Sequence, residues 1–265
     1  MDLSIVIPVH DDIRVERCVN SIDENVEVVL ALNRPTEEVK GIAKKLGVKS
    51  VNVPEQNLGM CYNYGMDAST SENVLFMDSD CVFAPRTIER VYSAKTSHPD
   101  ALIRGNVVYL TDSIQSRITK AGRDVTTINV PYAFIPLLLL DKGVFSRIND
   151  GRRFAEDVGW TADYEFELRR SKAGIPLVQV PEARIFHDPM TIASDLRSAF
   201  KYGTGKRIRH ERTGEHTNFL EVLKEPILRG FREGGFVAGA YLIVWKSALY
   251  SGYYSQKYGL NQTKR

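Results

Sequence analysis

VLFMDSDCVF, residues Val74 to Phe83, sets two carboxylates at i and i+2 directly after an apolar run. The run predicts a buried strand from Asn73 to Met77 that ends in Asp78. A hard divalent cation such as Mg²⁺ or Mn²⁺ takes oxygen ligands, usually one or two carboxylates completed by phosphate oxygens and water. On that chemistry Asp80 binds the metal most directly, with Asp78 a ligand through water or a partner of a ribose. The spacing alone is weak, because a chain with 16 aspartates produces one such pair by chance about once. Its bland reading is a solvated surface turn. Position decides between the two.

Working outward, Leu3 to Val9 reads as a strand and Asp12 to Ile22 as a helix. Val26 to Leu32 is a second apolar run, Thr36 to Leu46 a helix stopped by Gly47, Val48 to Val53 a third strand, and Met60 to Ala68 a further helix. Strands alternating with helices in this way predict a parallel sheet covered on both faces. Ligands of such sheets bind beyond the carboxyl ends of the strands. Pro8 to Asp12, Asn33 to Thr36 and Asp78 to Asp80 all fall there, so this edge is the expected nucleotide site. No GxGxxG follows the first strand and no GxxxxGK[ST] occurs anywhere, which removes most of the weight from dinucleotide and P-loop readings.

The chain of 265 residues, 43% hydrophobic and 26% charged, suffices for one catalytic domain with an appendage. A net charge of +2 is too mild to suggest nucleic acid. Cys18, Cys61 and Cys81 show no CxxC spacing, so a reducing compartment is expected, with neither a disulfide framework nor a zinc site. MDLSIVIPVH lacks a basic region ahead of its short apolar run and reads as a first strand rather than a signal peptide.

Farther along, IRGNVVYL is strand-like, and the run Tyr132 to Leu140 is expected to form a strand lining an acceptor side. Ala162 to Ala173 reads as a helix stopped at Gly174. After about Ile192 the character changes: KYGTGKRIRHERTGEH holds seven Lys, Arg and His residues. Lys224, Arg229 and Arg232 then precede the apolar stretch Phe236 to Trp245, which is too short to cross a bilayer. Phe236, Tyr241, Trp245, Tyr250, Tyr253 and Tyr254 among basic residues suit a segment lying in a membrane interface. The alternative is an ordinary helix packed on the catalytic domain.

Several segments in order give the chain its resemblance to glycosyltransferase family 2 over approximately residues 3 to 190. SIVIPVHDD is similar to the family's first strand and nucleotide-binding turn, QNLGMCYNYGMDAS to its helix entry before the metal strand, VLFMDSDCVFAP to its DxD segment, and ADYEFELRRSKAG to its acid-rich helix start. The resemblance implies an α/β GT-A (nucleotide-diphospho-sugar transferase) fold, with a Rossmann-like, mostly parallel central sheet, helices on both faces and a helical C-terminal tail. It implies residues 1–191 as the catalytic domain, with 1–100 binding the nucleotide sugar and 101–191 the acceptor, and 192–265 as the basic and aromatic tail.

The function implied is inverting transfer of a sugar from a UDP- or GDP-sugar, with Mn²⁺ or Mg²⁺, to a saccharide or lipid-linked acceptor. Pro8, Val9, His10 and Asp12 would contact the nucleoside. Asn57, Gly59 and Asn63 would shape the loop and helix over the donor, and Asp78, Ser79 and Asp80 would serve ribose, diphosphate and metal. His187 would complete the metal shell and Asp163 would act as base, with N-capping of its helix as the plainer reading. Where the family has an acid after the second strand this chain has ALNRPT, so Asn33 or Arg34 takes that work. Glu156 and Asp157 form a second candidate for the base, and Trp160 is a candidate acceptor contact. The expected location is cytoplasmic, peripheral on the membrane. Rival readings are a nucleotidyltransferase, which would want a basic glycine-rich loop that PVHDDI lacks, and a non-catalytic membrane-associated nucleotide-binding module.

Overall fold

A computed structural model describes residues 1–128, 130–148, 151–214 and 219–257. Glu215 and His216 of the basic segment, residues 258–265 of the tail, and the side chain of Lys224 lie outside the described residues.

Among the described residues eight strands form one sheet: β1 (Leu3–Val9), β2 (Glu27–Asn33), β3 (Lys49–Val53), β4 (Asn73–Phe76), β5 (Cys81–Phe83), β6 (Leu102–Tyr109), β7 (Leu138–Asp141) and β8 (Leu177–His187). Their order is β3-β2-β1-β4-β7-β6-β8-β5. The pairs β1–β2, β2–β3 and β1–β4 are parallel, whereas β4–β7, β6–β7 and β5–β8 are antiparallel. The parallel half is thus the half built from alternating strands and helices. The α/β expectation holds, with the sheet mixed beyond β4.

The helices of this half are α1 (Val15–Asn20), α2 (Glu37–Leu46), α3 (Leu58–Ala68) and α4 (Thr87–Ser97). Local chemistry sets their limits. Thr36 Oγ1 accepts from the Val39 N–H at the start of α2, Glu37 and Glu38 occupy its first turn and Lys44 and Lys45 its last, and Gly47 ends it at φ 63°. The first helix begins later than the sequence suggests, because Asp12 Oδ1 accepts from the Arg14 N–H at 3.0 Å and holds the entry in a turn. The expected strand over Tyr132 to Leu140 is corrected to β7 alone. Pro131 and Pro136 offer no N–H to a ladder, and the chain from 131 to 137 runs as bends.

By packing, the chain falls into two compact units. The first comprises Met1–Val108, Pro131–Glu156 and Ala162–His187. It contains nearly all of the sheet together with α6 (Val144–Arg147) and α7 (Ala162–Lys172). Ile5, Ile7, Leu30, Leu75, Leu102 and Ile103 are fully buried in it, each contributing roughly 1.5–3 kcal/mol by leaving water. A cluster of rings fills the space beside the sheet: Phe154 lies 5.0 Å from Tyr62, 5.3 Å from Phe76 and 4.9 Å from Phe166, centroid to centroid.

The second unit gathers Tyr109–Val130 and Asp157–Thr161 with Asp188–Arg265. It is helical: α5 (Ile114–Thr127), a 3₁₀ turn at Gly159–Thr161, α8 (Ile192–Thr213), α9 (Phe219–Glu233) and α10 (Gly235–Lys257). Buried inside it, Asp195 binds the Arg123 guanidinium and the Tyr241 hydroxyl. The aromatics of the tail divide accordingly: Tyr241 points into this unit's core, whereas Phe236 is 79% exposed. Among the described residues no helix is long and apolar enough to cross a membrane.

Candidate active site

The first unit assembles its acids at the carboxyl ends of β1 and β4. The Met77 N–H donates to Val6 O at 3.1 Å, extending the β1–β4 ladder by one residue and setting Asp78 beside the end of β1. There Asp12 Oδ1 accepts from Arg14 Nε at 2.8 Å, and its Oδ2 accepts from Arg14 Nη2 at 2.9 Å and Ser79 Oγ at 3.1 Å. One side chain therefore clamps the first and fourth strand ends together. The short β5 pairs with β8 so that Cys81 faces His187. That register brings His187 Nε2 to 3.3 Å from Asp80 Oδ2, with Arg14 Nη2 at 3.7 Å from the same oxygen.

Crowded acids cannot all stay charged, and their environments split them. Burial, and then the neighbouring charge of Asp80, raise Asp78 to about 7, with smaller upward contributions from Asp163 and Asp12. Burial acts on Asp80 in the same direction, but the hydrogen bond and charge of His187 and the charge of Arg14 outweigh it and hold Asp80 at about 2. Asp163, in the first turn of α7 rather than at its cap, is raised by burial to about 6. Hydrogen bonds from the Tyr164, Ile135 and Asp163 N–H groups and the charge of Arg104 pull the other way. The Tyr164 bond to Asp163 Oδ1 is 2.8 Å. Asp78, Asp80, Asp163 and His187 thus form one electrostatically connected group.

Its donors suit a cation. Asp80, Cys81 and His187 each offer an atom within 4.8 Å of the others. Burial and then Asp80 push the Cys81 thiol well above its usual range, so it stays protonated, and its Sγ lies 3.5 Å from Asp80 Oδ1 as a donor. A carboxylate and an imidazole remain, the imidazole a ligand once it has given up its proton, a set that Mn²⁺ accepts more readily than Mg²⁺. Asp80 and His187 would hold the ion, leaving room for phosphate oxygens and water.

The other expected residues are placed as follows. Val9 is buried and Pro8 half-buried within β1. His10 is fixed: its Nδ1 lies 2.6 Å from Asn33 O and its Nε2 3.3 Å from Gln56 Nε2. Asn33 is buried at the end of β2, and its Oδ1 has no hydrogen-bond partner among the described residues. Asn57 caps α3, with its Oδ1 accepting from Met60 N at 3.0 Å. Asn63 is engaged by the protein. It donates to Phe154 O at 3.0 Å and Glu156 Oε1 at 2.8 Å, and accepts from Phe154 N at 3.2 Å, tying the 154–156 loop to α3.

In the second unit, Asp157 pairs with Arg212 and Trp160 is 41% exposed beneath the Lys201 ammonium, 4.2 Å from its ring centre. Gly59 supports the 154–156 loop from below, since a Cβ there would lie 2.1 Å from Ala155 O. Gly59→Ala is therefore expected to cost about 1–3 kcal/mol through overpacking, read as a lower melting temperature. An unchanged melt would show that the loop yields freely.

Two residues of the site escaped the sequence reading. Arg14 follows the first strand's turn and brings a guanidinium charge to 3.7 Å from Asp80, a signal that a basic residue among the acids of HDDIR could have given. Arg104 is buried in β6, over the Phe134 ring at 5.9 Å, and lowers Asp163. Its only trace in the sequence is a charge inside an apolar strand.

Comparison with known proteins places this geometry. No curated protein sequence matches the chain. Among solved structures, the mannosyltransferase PcManGT from Pyrobaculum calidifontis, in complex with GDP-Man and Mn²⁺, superposes with a TM-score of 0.64 at 13% identity over 99% of this chain and 88% of that one. Glucosyl-3-phosphoglycerate synthase from Mycobacterium tuberculosis, in complex with Mn²⁺, UDP-glucose and phosphoglyceric acid, gives 0.60 at 14% identity over 82% and 81%. S. aureus TarS 1-349 gives 0.57 at 13% identity over 100% and 92%. These likenesses establish the GT-A fold. The sequence profile of glycosyl transferase family 2 matches residues 4–154, from β1 through the DxD segment to the loop that Asn63 holds, and on that match the chain belongs to glycosyl transferase family 2.

Proposed function

We propose that the protein is an inverting, divalent-cation-dependent glycosyltransferase that uses a UDP- or GDP-sugar. The observation that carries this reading is the electrostatic joining of Asp78 and Asp80, just past β4, with His187 at the end of β8 and Asp163 of α7, one acid held ionised and two raised toward neutrality. The complexes of the similar structures with GDP-Man and with UDP-glucose, each with Mn²⁺, support the donor class and the metal.

When bound, the cation supplies positive charge against which the diphosphate leaving group departs. Asp80 and His187 would hold it, while Arg14 braces Asp12, which in turn accepts from Ser79. Asp78 serves the ribose and diphosphate side. Asp163 takes the proton of the acceptor hydroxyl as that oxygen bonds to the anomeric carbon and the bond to the diphosphate oxygen breaks on the opposite face. The product anomer is the reverse of the donor's.

A screen of UDP-, GDP- and dTDP-sugars, followed by NMR of the product's anomeric proton, tests this. Inversion that is abolished by EDTA and restored by Mn²⁺ is expected. Retention of configuration, or turnover unaffected by EDTA, would refute it.

For the acceptor we propose a saccharide or lipid-linked saccharide met at a membrane surface. Leu228, Phe236, Val237, Ile243 and Val244 of α9 and α10 are 47–79% exposed, apolar side chains that a membrane interface would take up. Deleting the tail would strip α10 from α5 and α8, so Phe236→Glu with Ile243→Glu is the cleaner probe. Liposome flotation should fall in that variant while its melting temperature holds.

A further inference from the structure

The first unit sorts its aromatic side chains into two groups. Tyr62, Phe76, Phe145, Phe154 and Phe166 are buried and pack with their planes crossed, Phe154 meeting Phe76 at 81° and Phe145 at 70°. Tyr132, Phe134 and Tyr164 form a second group and lie closer to parallel. Phe134 is 5.3 Å from Tyr132 at 36° and 5.8 Å from Tyr164 at 26°, centroid to centroid. Phe134 and Tyr164 are half-buried, whereas Tyr132, at one end of the row, is 41% exposed.

This second group is built around Asp163. The Asp163 carboxylate accepts from the N–H groups of Tyr164 and Ile135, so one ring belongs to a donor and another, Phe134, precedes the other donor in the chain. The segment that carries Tyr132 and Phe134 is fastened to the unit at both ends. The Ala133 N–H donates to Glu167 Oε2 at 2.8 Å, and the Leu137 N–H to Phe76 O at 2.9 Å. Glu167 is fixed in turn by Arg170, whose Nε and Nη2 reach its two oxygens at 2.8 and 2.7 Å. The Arg104 guanidinium lies over the Phe134 ring at 5.9 Å. Phe134 is thus covered by Tyr132, Tyr164 and Arg104, and Tyr132 is the ring left open.

A ring that keeps so much of its surface in water gives up burial that packing alone would favour, and the crossed rings of the same unit show what packing produces. An open ring on a fixed backbone, beside a carboxylate, matches the two aspects of a sugar. The C–H groups on one face of a pyranose lie against an aromatic ring, while the hydroxyls at its rim reach hydrogen-bonding groups. Tyrosine suits such contact because its ring is rigid and few torsions are lost on binding. A phosphate would be repelled by the same surface, since the face of an aromatic ring is negative.

We propose, on the reading of Asp163 as the base, that Tyr132 backed by Phe134 and Tyr164 is the acceptor subsite, stacking on the apolar face of a sugar ring so that a hydroxyl of that ring meets Asp163. The reacting part of the acceptor is then a sugar ring, free or lipid-linked.

Saturation-transfer NMR on the full chain tests this, with the methyl pyranosides of glucose, galactose, mannose and N-acetylglucosamine as probes and with UDP or GDP and Mg²⁺ present. At least one glycoside is expected to take up saturation, most strongly at the C–H protons of one ring face. Tyr132→Phe should keep that pattern. Tyr132→Ala should raise Kd about tenfold with its melting temperature held. No uptake in the wild type, uptake spread evenly over both faces, or equal binding by Tyr132→Ala overturns the subsite. Should Tyr132→Ala melt lower, Tyr132→Leu decides: it keeps apolar bulk without a ring face, and it must raise Kd about as far as alanine does or the proposal falls. Calorimetry with UDP and GDP in the presence of Mn²⁺ keeps this apart from the donor reading. Nucleotide binding without glycoside binding overturns the subsite alone, whereas glycoside binding without nucleotide binding overturns the donor reading and leaves the row of rings a sugar site.

Discussion

Asp80→Ala is expected to lower kcat/KM by about 10³-fold or more, a loss of roughly 4 kcal/mol of transition-state stabilisation. The reasoning is local. Asp80 is the acid that stays ionised, because His187 at 3.3 Å and Arg14 at 3.7 Å outweigh the cost of its burial. Removing it takes away the one fixed negative charge able to pin a cation next to His187. It also relieves Asp78 of the neighbour that raises it, so the fold should not suffer and the melting temperature should hold. Calorimetry with Mn²⁺ ought to show binding in the wild type and none in the variant. Metal binding that survives the substitution would break the assignment.

Asp163→Asn is expected to lower kcat by about 10²–10⁴-fold, the usual worth of a positioned base, with donor binding retained. Asparagine is nearly isosteric and its Oδ1 can still accept from the Tyr164 N–H. It also removes a buried charge, so stability should stay level or rise. That combination separates a base from a structural acid, since a structural acid would lose stability with activity. The sign of the pH dependence follows from burial. Asp163 titrates at about 6 and must be deprotonated to take a proton, so kcat/KM should climb tenfold per pH unit below about 6 and level off above it. A bound cation near Asp78 shifts that limb to lower pH. A residual activity above a tenth of wild type in Asp163→Asn would point to another base.

The parallel half of the sheet was legible because β1, β2 and β4 are buried on both faces and read as apolar runs such as SIVIPV and EVVLAL. The placing of Asp78 and Asp80 at a strand end followed from the same runs. Features made by distant pairing were not legible. Three residues, Cys81 to Phe83, form a strand only because β8 lies alongside, and no periodicity marks so short an element. The run from Tyr132 looked like a strand on hydrophobicity, yet its prolines remove the donors a ladder needs. α5 sits in sequence between β6 and β7 but packs with the tail helices, through Val125 against Ala238 and Leu242. Local patterning holds no information on such a partner. Arg104 was hidden for the opposite reason: a charge within an apolar strand reads as noise until Phe134 and Asp163 are seen beside it.

The pairing of Cys81 with His187 carries a consequence for how the protein is made. The acids leave the ribosome early, while the histidine that Asp80 needs emerges more than a hundred residues later, at the last position of β8. Until that strand docks, Asp80 stands without His187, so on the proposed reading metal capture would wait for the first unit to close. Side chains on a strand alternate sides, so a single-residue insertion in β8 would turn His187 to the opposite face without touching either aspartate.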